Sequence, residues 1–295
     1  MPWASWHYWW QAHALTAVVH AYERTLSRAE RDRAAAHVAG VVRRNGGTLA
    51  NAYYDDLAWM GLALHEAGAA GVGLPAGLLP ALWADLRVGF DPRRAALVWR
   101  RGDTYCNVPT NGPAAILAAR LGELDLARRL VGWLHTACVD ADGRVLDGRR
   151  GDGSPDEAQY TYNYGTVIGA DLALHAATGE APLLGRARYV AGAAATLADP
   201  RTGLLPDEGG GDRGLFKGIL TVHLAELVLR TGDAAVLDLL VRNGEAVVAA
   251  VDATGLVGTD WSRPPEGPVD LSAHLSGVLL LDGLARLEAA GTFPA

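Results

Sequence analysis

The chain predicts an all-α (α/α)6 toroid, and three observations carry that expectation. Helix-length apolar periodicities fill the 295 residues. A unit of helix, tight turn, helix and long loop recurs roughly every 50 residues, the regime of helical arrays and toroids. No stretch reads as the strand–helix alternation of a parallel α/β sheet. The chain, 1–295, is read as a single domain, and its half-hydrophobic composition is enough for a large core.

The elements follow in order. Residues 6–23 carry apolar side chains at Trp6, Trp9/Trp10, Ala14, Val18 and Ala21/Tyr22, the spacing of a helix. Ser27 opens a second helix, with Glu30 placed to complete a capping box, and Asn45-Gly46-Gly47 stops it. Arg28, Glu30, Arg31, Asp32 and Arg33 give that helix a solvated outer face. A third helix starts at Asp55-Asp56 and ends near Gly68; a fourth covers about 78–88. A long loop, 89–108, carries Trp99 and Arg100-Arg101-Gly102-Asp103. The next helix begins near Thr110-Asn111-Gly112, with Pro113 in its first turn.

From there two junctions repeat. Leu121-Gly122-Glu123, Thr178-Gly179-Glu180 and Thr231-Gly232-Asp233 each place a helix-ending Gly before an acidic helix start. Asp140-Ala141-Asp142-Gly143, Asp199-Pro200-Arg201-Thr202-Gly203 and Asp252-Ala253-Thr254-Gly255 read as turns leading back to the next helix. Inner helices are expected to begin near His13, Asp55, Asn111, Asn163, Lys217 and Ser272–His274, with outer helices after the first five. Long loops on one rim put a site at the N-terminal ends of the inner helices. The first outer helix is missing from this pattern. The flank it leaves is expected to bear Trp3 and Trp6, as an apolar patch or under a second subunit of a homo-oligomer.

A formal charge of −7 without a basic stripe argues against nucleic acid or an anionic membrane as partner. No apolar run approaches the ~20 residues that span a bilayer. The N-terminus lacks a basic start, and His7, Gln11 and His13 interrupt its apolar stretch. It does not read as a signal peptide, so the chain as written is expected in the cytoplasm, or secreted if its N-terminus is truncated. Cys106 and Cys138 form neither a metal pattern nor a disulfide framework and read as free thiols.

The chemistry concentrates at Tyr53-Tyr54-Asp55-Asp56-Leu57-Ala58-Trp59. One Asp suffices to cap a helix, whereas here two stand together among aromatic residues. Consecutive helix positions diverge by about 100°, so two carboxyls can flank one small space, on the order of 5 Å apart. That separation suits a retaining glycosidase. Of the two, the more exposed carboxylate is expected to stay ionised, and the one pressed against Trp59 or the tyrosines to keep its proton. Trp10, His13, Tyr54, Trp59, Asn107, Asn111, Tyr162, Asn163, Phe216, Lys217 and Trp261 lie at or beside inner-helix starts. Aromatic faces with Asn, Lys and His groups suit a pyranose, so these are the candidate substrate contacts.

Plainer readings stand beside these. The Asp pair could be a cap plus a surface charge, the N-terminal Trp cluster core packing, and His13 a satisfied core imidazole. Gly209–Gly214 lacks the strand and the Lys-Ser/Thr of a phosphate loop, His65-Glu66 lacks the second His of a zinc helix, and Asp55-Asp56 lacks the further Asp of a magnesium-binding Asp-rich motif. An epimerase or unsaturated uronyl hydrolase on the same fold would lean on His13 and His274. A non-catalytic carbohydrate-binding protein would need only the aromatic rim.

The same residues carry a resemblance. Trp10 with His13-Ala14-Leu15, Tyr53-Tyr54-Asp55-Asp56 with Trp59, Asn107 and Asn111 with Ala118-Ala119-Arg120-Leu121, Thr161-Tyr162-Asn163 with Gly165, and Phe216-Lys217-Gly218-Ile219 follow the motif order of glycoside hydrolase family 76. The chain thus resembles the endo-acting α-1,6-mannanases. The resemblance implies the (α/α)6 fold and retaining hydrolysis of an α-linked mannose-containing glycan, with Asp55 as nucleophile and Asp56 as acid/base. It implies no metal and no cofactor. Tyr164 stands where the family usually has Gln, Met60 replaces a common Trp, and Pro113-Ala114 replaces bulkier residues.

Overall fold

The computed structural model describes residues 6–292. Eleven α-helices are present among them: α1 (Tyr8–Thr25), α2 (Arg28–Arg44), α3 (Tyr54–Ala69), α4 (Leu78–Arg87), α5 (Val108–Arg120), α6 (Leu124–Trp133), α7 (Thr161–Thr178), α8 (Ala181–Ala195), α9 (Phe216–Thr231), α10 (Ala234–Ala249) and α11 (Leu271–Ala289). The odd-numbered helices pack consecutively, and α11 returns to α1, closing the ring. The even-numbered helices form the outer layer, so the chain is the all-α toroid that the repeat predicts, with five outer helices among the described residues.

Inner and outer helices differ in what they can bury. Twelve of the thirteen residues of α5 are buried, from Val108 to Ala119, as suits a helix surrounded by others. The charged α2 buries only Ala34, Val38 and Val41. Glycines let the inner helices approach closely. A Cβ on Gly112 of α5 would stand 2.5 Å from the Thr166 Cβ of α7. One on Gly165 of α7 would stand 2.7 Å from the Leu220 Cα of α9, and one on Gly218 of α9 would stand 2.5 Å from the Ser276 Cα of α11. At the seam, His20 of α1 meets Asp282 of α11 at 2.6 Å, and Arg24 pairs with the same carboxylate.

The junctions form as their sequences indicate. Gly179 and Gly232 end α7 and α9 in the left-handed conformation. Asp233 caps α10 by accepting from the Val236 N–H. Glu123 and Glu180 open their helices without a side-chain cap; their longer side chains turn instead to Arg87 and Arg128, at 3.2 and 2.8 Å. Asp140, Asp199 and Asp252 each accept from the backbone N–H two residues on, which fixes the three return turns.

Several local expectations are corrected. Ser27 sits at the N-cap of α2 but makes no side-chain cap bond, and Glu30 binds Arg33 instead. α5 begins at Val108, which moves Pro113 beyond its first turn. Trp6 packs edge-on to Tyr8 with the Arg44 guanidinium over its ring, so it lies against the end of α2; Trp3 falls outside the described residues. Short strands decorate the loop rim: β1 (Phe90–Asp91) pairs with β2 (Ala96–Leu97), and β3 (Cys106–Asn107), β4 (Gly148–Arg149) and β5 (Pro155–Asp156) form a small antiparallel sheet. No helix among the described residues is long and apolar enough to cross a membrane.

Candidate active site

Tyr53 is the N-cap of α3, so Asp55 and Asp56 lie in its first turn, where the helix dipole favours negative charge. Asp55 faces a hollow of about 250 Å³ at the N-terminal ends of the inner helices. Its walls are aromatic (Trp9, Trp59, Trp99, Tyr105, Tyr162, Phe216) and acidic (Asp55, Asp147, Asp156, Asp212), with Asn107 and Pro109 between them.

The two neighbouring carboxyls have different partners. The Trp99 indole donates to Asp55 Oδ2 at 3.0 Å, while Asp55 Oδ1 is buried without a partner. Asn51 donates to Asp56 Oδ2 at 2.7 Å and is itself fixed by accepting from the Tyr53 N–H. Burial raises the pKa of both. The Trp99 hydrogen bond opposes the rise at Asp55, whereas the charge of Asp55 adds to it at Asp56. The negative charge of Asp212 bears on both. Exposure therefore does not separate the two acids as the sequence reading expects; each has one side-chain donor that lowers its pKa, Trp99 at Asp55 and Asn51 at Asp56, and the charge of Asp55 bearing on Asp56 is what differs.

The remaining acids are held in place from distant parts of the chain. Asp147 accepts from Tyr105 Oη at 2.5 Å and from Asn163 Nδ2 at 3.0 Å. Asp212 accepts from the indoles of both Trp9 and Trp10 at 2.9 Å. Tyr162 and Phe216 stack 3.8 Å apart and nearly parallel, forming a flat apolar wall.

The candidate residues thus divide. Asp55, Trp59, Asn107, Tyr162 and Phe216 line the hollow. Asp56, Trp10 and Asn163 stand behind it, Trp10 and Asn163 orienting its acids. His13 lies beneath, its ring 4.7 Å from that of Trp59. Four candidates turn elsewhere. Tyr54 is buried under Gly89 and Arg101. Asn111 is buried and ties α5 to the backbone of Leu97 and Asn107. Lys217 donates a hydrogen bond to the Thr259 carbonyl and lies 4.1 Å over the buried Trp261 ring. Tyr164 is also buried, bonded to Gln159 at 2.9 Å, so its departure from the family pattern lies away from the hollow. Tyr105, Asp147 and Asp156 carry no local sequence signal, since each is a single residue in a loop; Trp99 and Asp212 stand out only as members of long rim loops. No group of three or more His, Cys, Asp or Glu among the described residues is arranged to hold a metal ion.

Comparison with known proteins adds the lineage. The model of glycosyl hydrolase family 76 matches residues 94–284. The Lin0763 protein from Listeria innocua is similar at 32% identity with a TM-score of 0.90, covering 97% of this chain and 87% of that one. The α-1,6-mannanase of Salegentibacter sp. HEL1_6 is similar at 31% identity with a TM-score of 0.87, covering 96% and 90%. An inactive variant of that mannanase, with two adjacent aspartates changed to asparagine, is known in complex with α-1,6-mannotriose. Dfg5 from Chaetomium thermophilum shares the fold at 18% identity and a TM-score of 0.79, covering 94% and 80%. No curated protein is matched. On the family model and these alignments, the chain belongs to glycosyl hydrolase family 76.

Proposed function

We propose that the protein is a retaining glycoside hydrolase acting on α-1,6-linked mannose-containing oligosaccharides, with Asp55 as nucleophile and Asp56 as acid/base. The observation that carries the reading is the unequal setting of the two adjoining carboxyls: Asp55 lines the aromatic hollow and Asp56 stands behind it, held by Asn51. The Trp99 N–H favours ionised Asp55, and that charge in turn favours protonated Asp56. Asp55-Asp56 is also the one place in the sequence where two aspartates adjoin, as they do in the mannanase whose inactive variants replace such a pair.

In the first step a carboxylate oxygen of Asp55 forms a bond to the anomeric carbon while the glycosidic bond breaks. The bonding pair goes to the leaving oxygen, which takes the proton of Asp56. In the second step Asp56, now a carboxylate, removes a proton from water as the water oxygen displaces Asp55. Asp147, Asp156 and Asp212 offer acceptors for sugar hydroxyls, and the Tyr162–Phe216 wall offers a face for ring C–H groups. Turnover of α-1,6-mannotriose by the native chain is the expected result. Asp55→Asn and Asp56→Asn should each fall at least ~10²-fold in kcat/KM. Variants as active as the native chain would remove the pair from the mechanism. A native chain that binds the trisaccharide without cleaving it would make the protein a binding module.

A further inference from the structure

The central channel has a second hollow. It holds about 350 Å³ and is lined from the middle of the inner helices to their C-terminal ends. The carboxylate hollow occupies the opposite ends of the same helices. Trp59 lines both, and the ring of His13 packs against it, so the pair forms a partition.

We propose that this lower hollow is a binding site for one neutral polyhydroxylated ring of about hexose size, separate from the carboxylate cleft. Its volume is at the small end of ligand pockets, which run roughly 300–1,000 Å³. The imidazoles of His13 and His223 both line the hollow; His13 Nε2 and His223 Nδ1 are enclosed by protein without a hydrogen-bond partner, Nδ1 lying against Gly169 of α7, so the other nitrogen of each ring is the one left for a ligand. Burial holds both imidazoles neutral, His13 lowered to about 3 and His223 to about 4. A neutral imidazole offers one donor and one acceptor, which matches a hydroxyl and neither a carboxylate nor an ammonium.

The charges point the same way. Three carboxylates (Glu23, Glu66, Glu226) face two guanidiniums (Arg120, Arg286) around the lining. Glu66 pairs with Arg120 at 2.7 Å, and Glu226 pairs with Arg230 at 2.8 Å. An anion gains no net attraction there, whereas paired ions still have lone pairs and N–H groups for hydroxyls. Trp59, Ile116 and Ile219 supply apolar surface for ring C–H groups. The inference does not depend on how the Asp pair works.

Crystals of the native protein grown with D-mannose or myo-inositol test it, with calorimetric titration of the same compounds. A ring bound in the lower hollow is expected. Loss of one hydrogen bond in His223→Leu should weaken its binding ~10-fold and leave activity at the Asp pair unchanged. Glu226→Gln, a milder change, should weaken it in the same direction. Three results would overturn the proposal: only water in the lower hollow while sugar fills the upper one, affinity indifferent to both substitutions, or acetate binding in place of the polyols.

Discussion

At the scale of the residue, two adjacent side chains of one kind are made unlike by their neighbours. Burial raises both acids; the Trp99 indole opposes the rise at Asp55, and the charge of Asp55 adds to it at Asp56. Trp99→Phe removes the donor while keeping an aromatic ring. The pKa of Asp55 should then rise, and the acid limb of the kcat/KM–pH profile should move to higher pH, by about one unit for a bond worth ~1.4 kcal/mol. An unmoved limb would show that the bond does not set the charge. The same burial taxes the fold. Both acids have folded pKa values above their unfolded ones, so their cost is absent below the unfolded pKa and grows as pH rises through the folded values. The Asp55→Asn/Asp56→Asn double variant should therefore melt higher than the native chain at pH 7, by about 2–4 °C per kcal/mol relieved. The gap should close near pH 4, and calorimetry across that range reads it. The pair is legible in the sequence because its members adjoin between aromatic residues. Asp147 is not, because Tyr105 and Asn163, which aim it, lie 42 and 16 residues away.

At the scale of the element, the inner helices meet through glycines and the outer ones cover them with narrow apolar stripes. Gly165→Ala would put a methyl 2.7 Å from the Leu220 Cα, and backbone cannot yield as a side-chain tip can. A loss of about 1–3 kcal/mol is expected from that overpacking. Gly132→Ala on α6, with nothing within 4 Å of the added carbon, should be neutral or slightly stabilising. Equal effects from the two in denaturant melts would deny that close approach is what Gly165 provides. Helix existence was readable from periodicity and from Gly179 and Gly232. The first residue of α5 was not, because Pro109 is as acceptable near a helix start as Pro113, and only the β3 strand before it fixes the boundary. Side-chain direction was the other blind spot. Asn111, Tyr54 and Lys217 stand in the right turn of the right helix, yet backbone groups and neighbouring rings claim them.

At the scale of the whole molecule, one closed ring carries two chemically opposed hollows. The upper is acidic and aromatic; the lower holds neutral imidazoles. His13, His20 and His223 have pKa values lowered chiefly by burial, so the folded chain resists their protonation. The unfolded chain takes up those protons near pH 6.5, and stability should fall as pH drops from there toward the folded values. In the double Asn variant, where the paired acids no longer oppose the trend, melting temperature should decline between pH 7 and pH 5. A flat profile would mean that the imidazoles are not held neutral. The ring itself was readable because its junctions repeat, while the meeting of distant loops over the Asp pair follows only from closure.

The anomeric configuration of the first-formed reducing end, followed by proton NMR during cleavage of α-1,6-mannotriose, tests the double displacement most directly. Retention, with the α-anomer appearing before mutarotation, is the result predicted for Asp55 and Asp56 working in turn. Initial release of the β-anomer would contradict it, since a single inverting displacement has no place for a carboxylate bonded to the sugar.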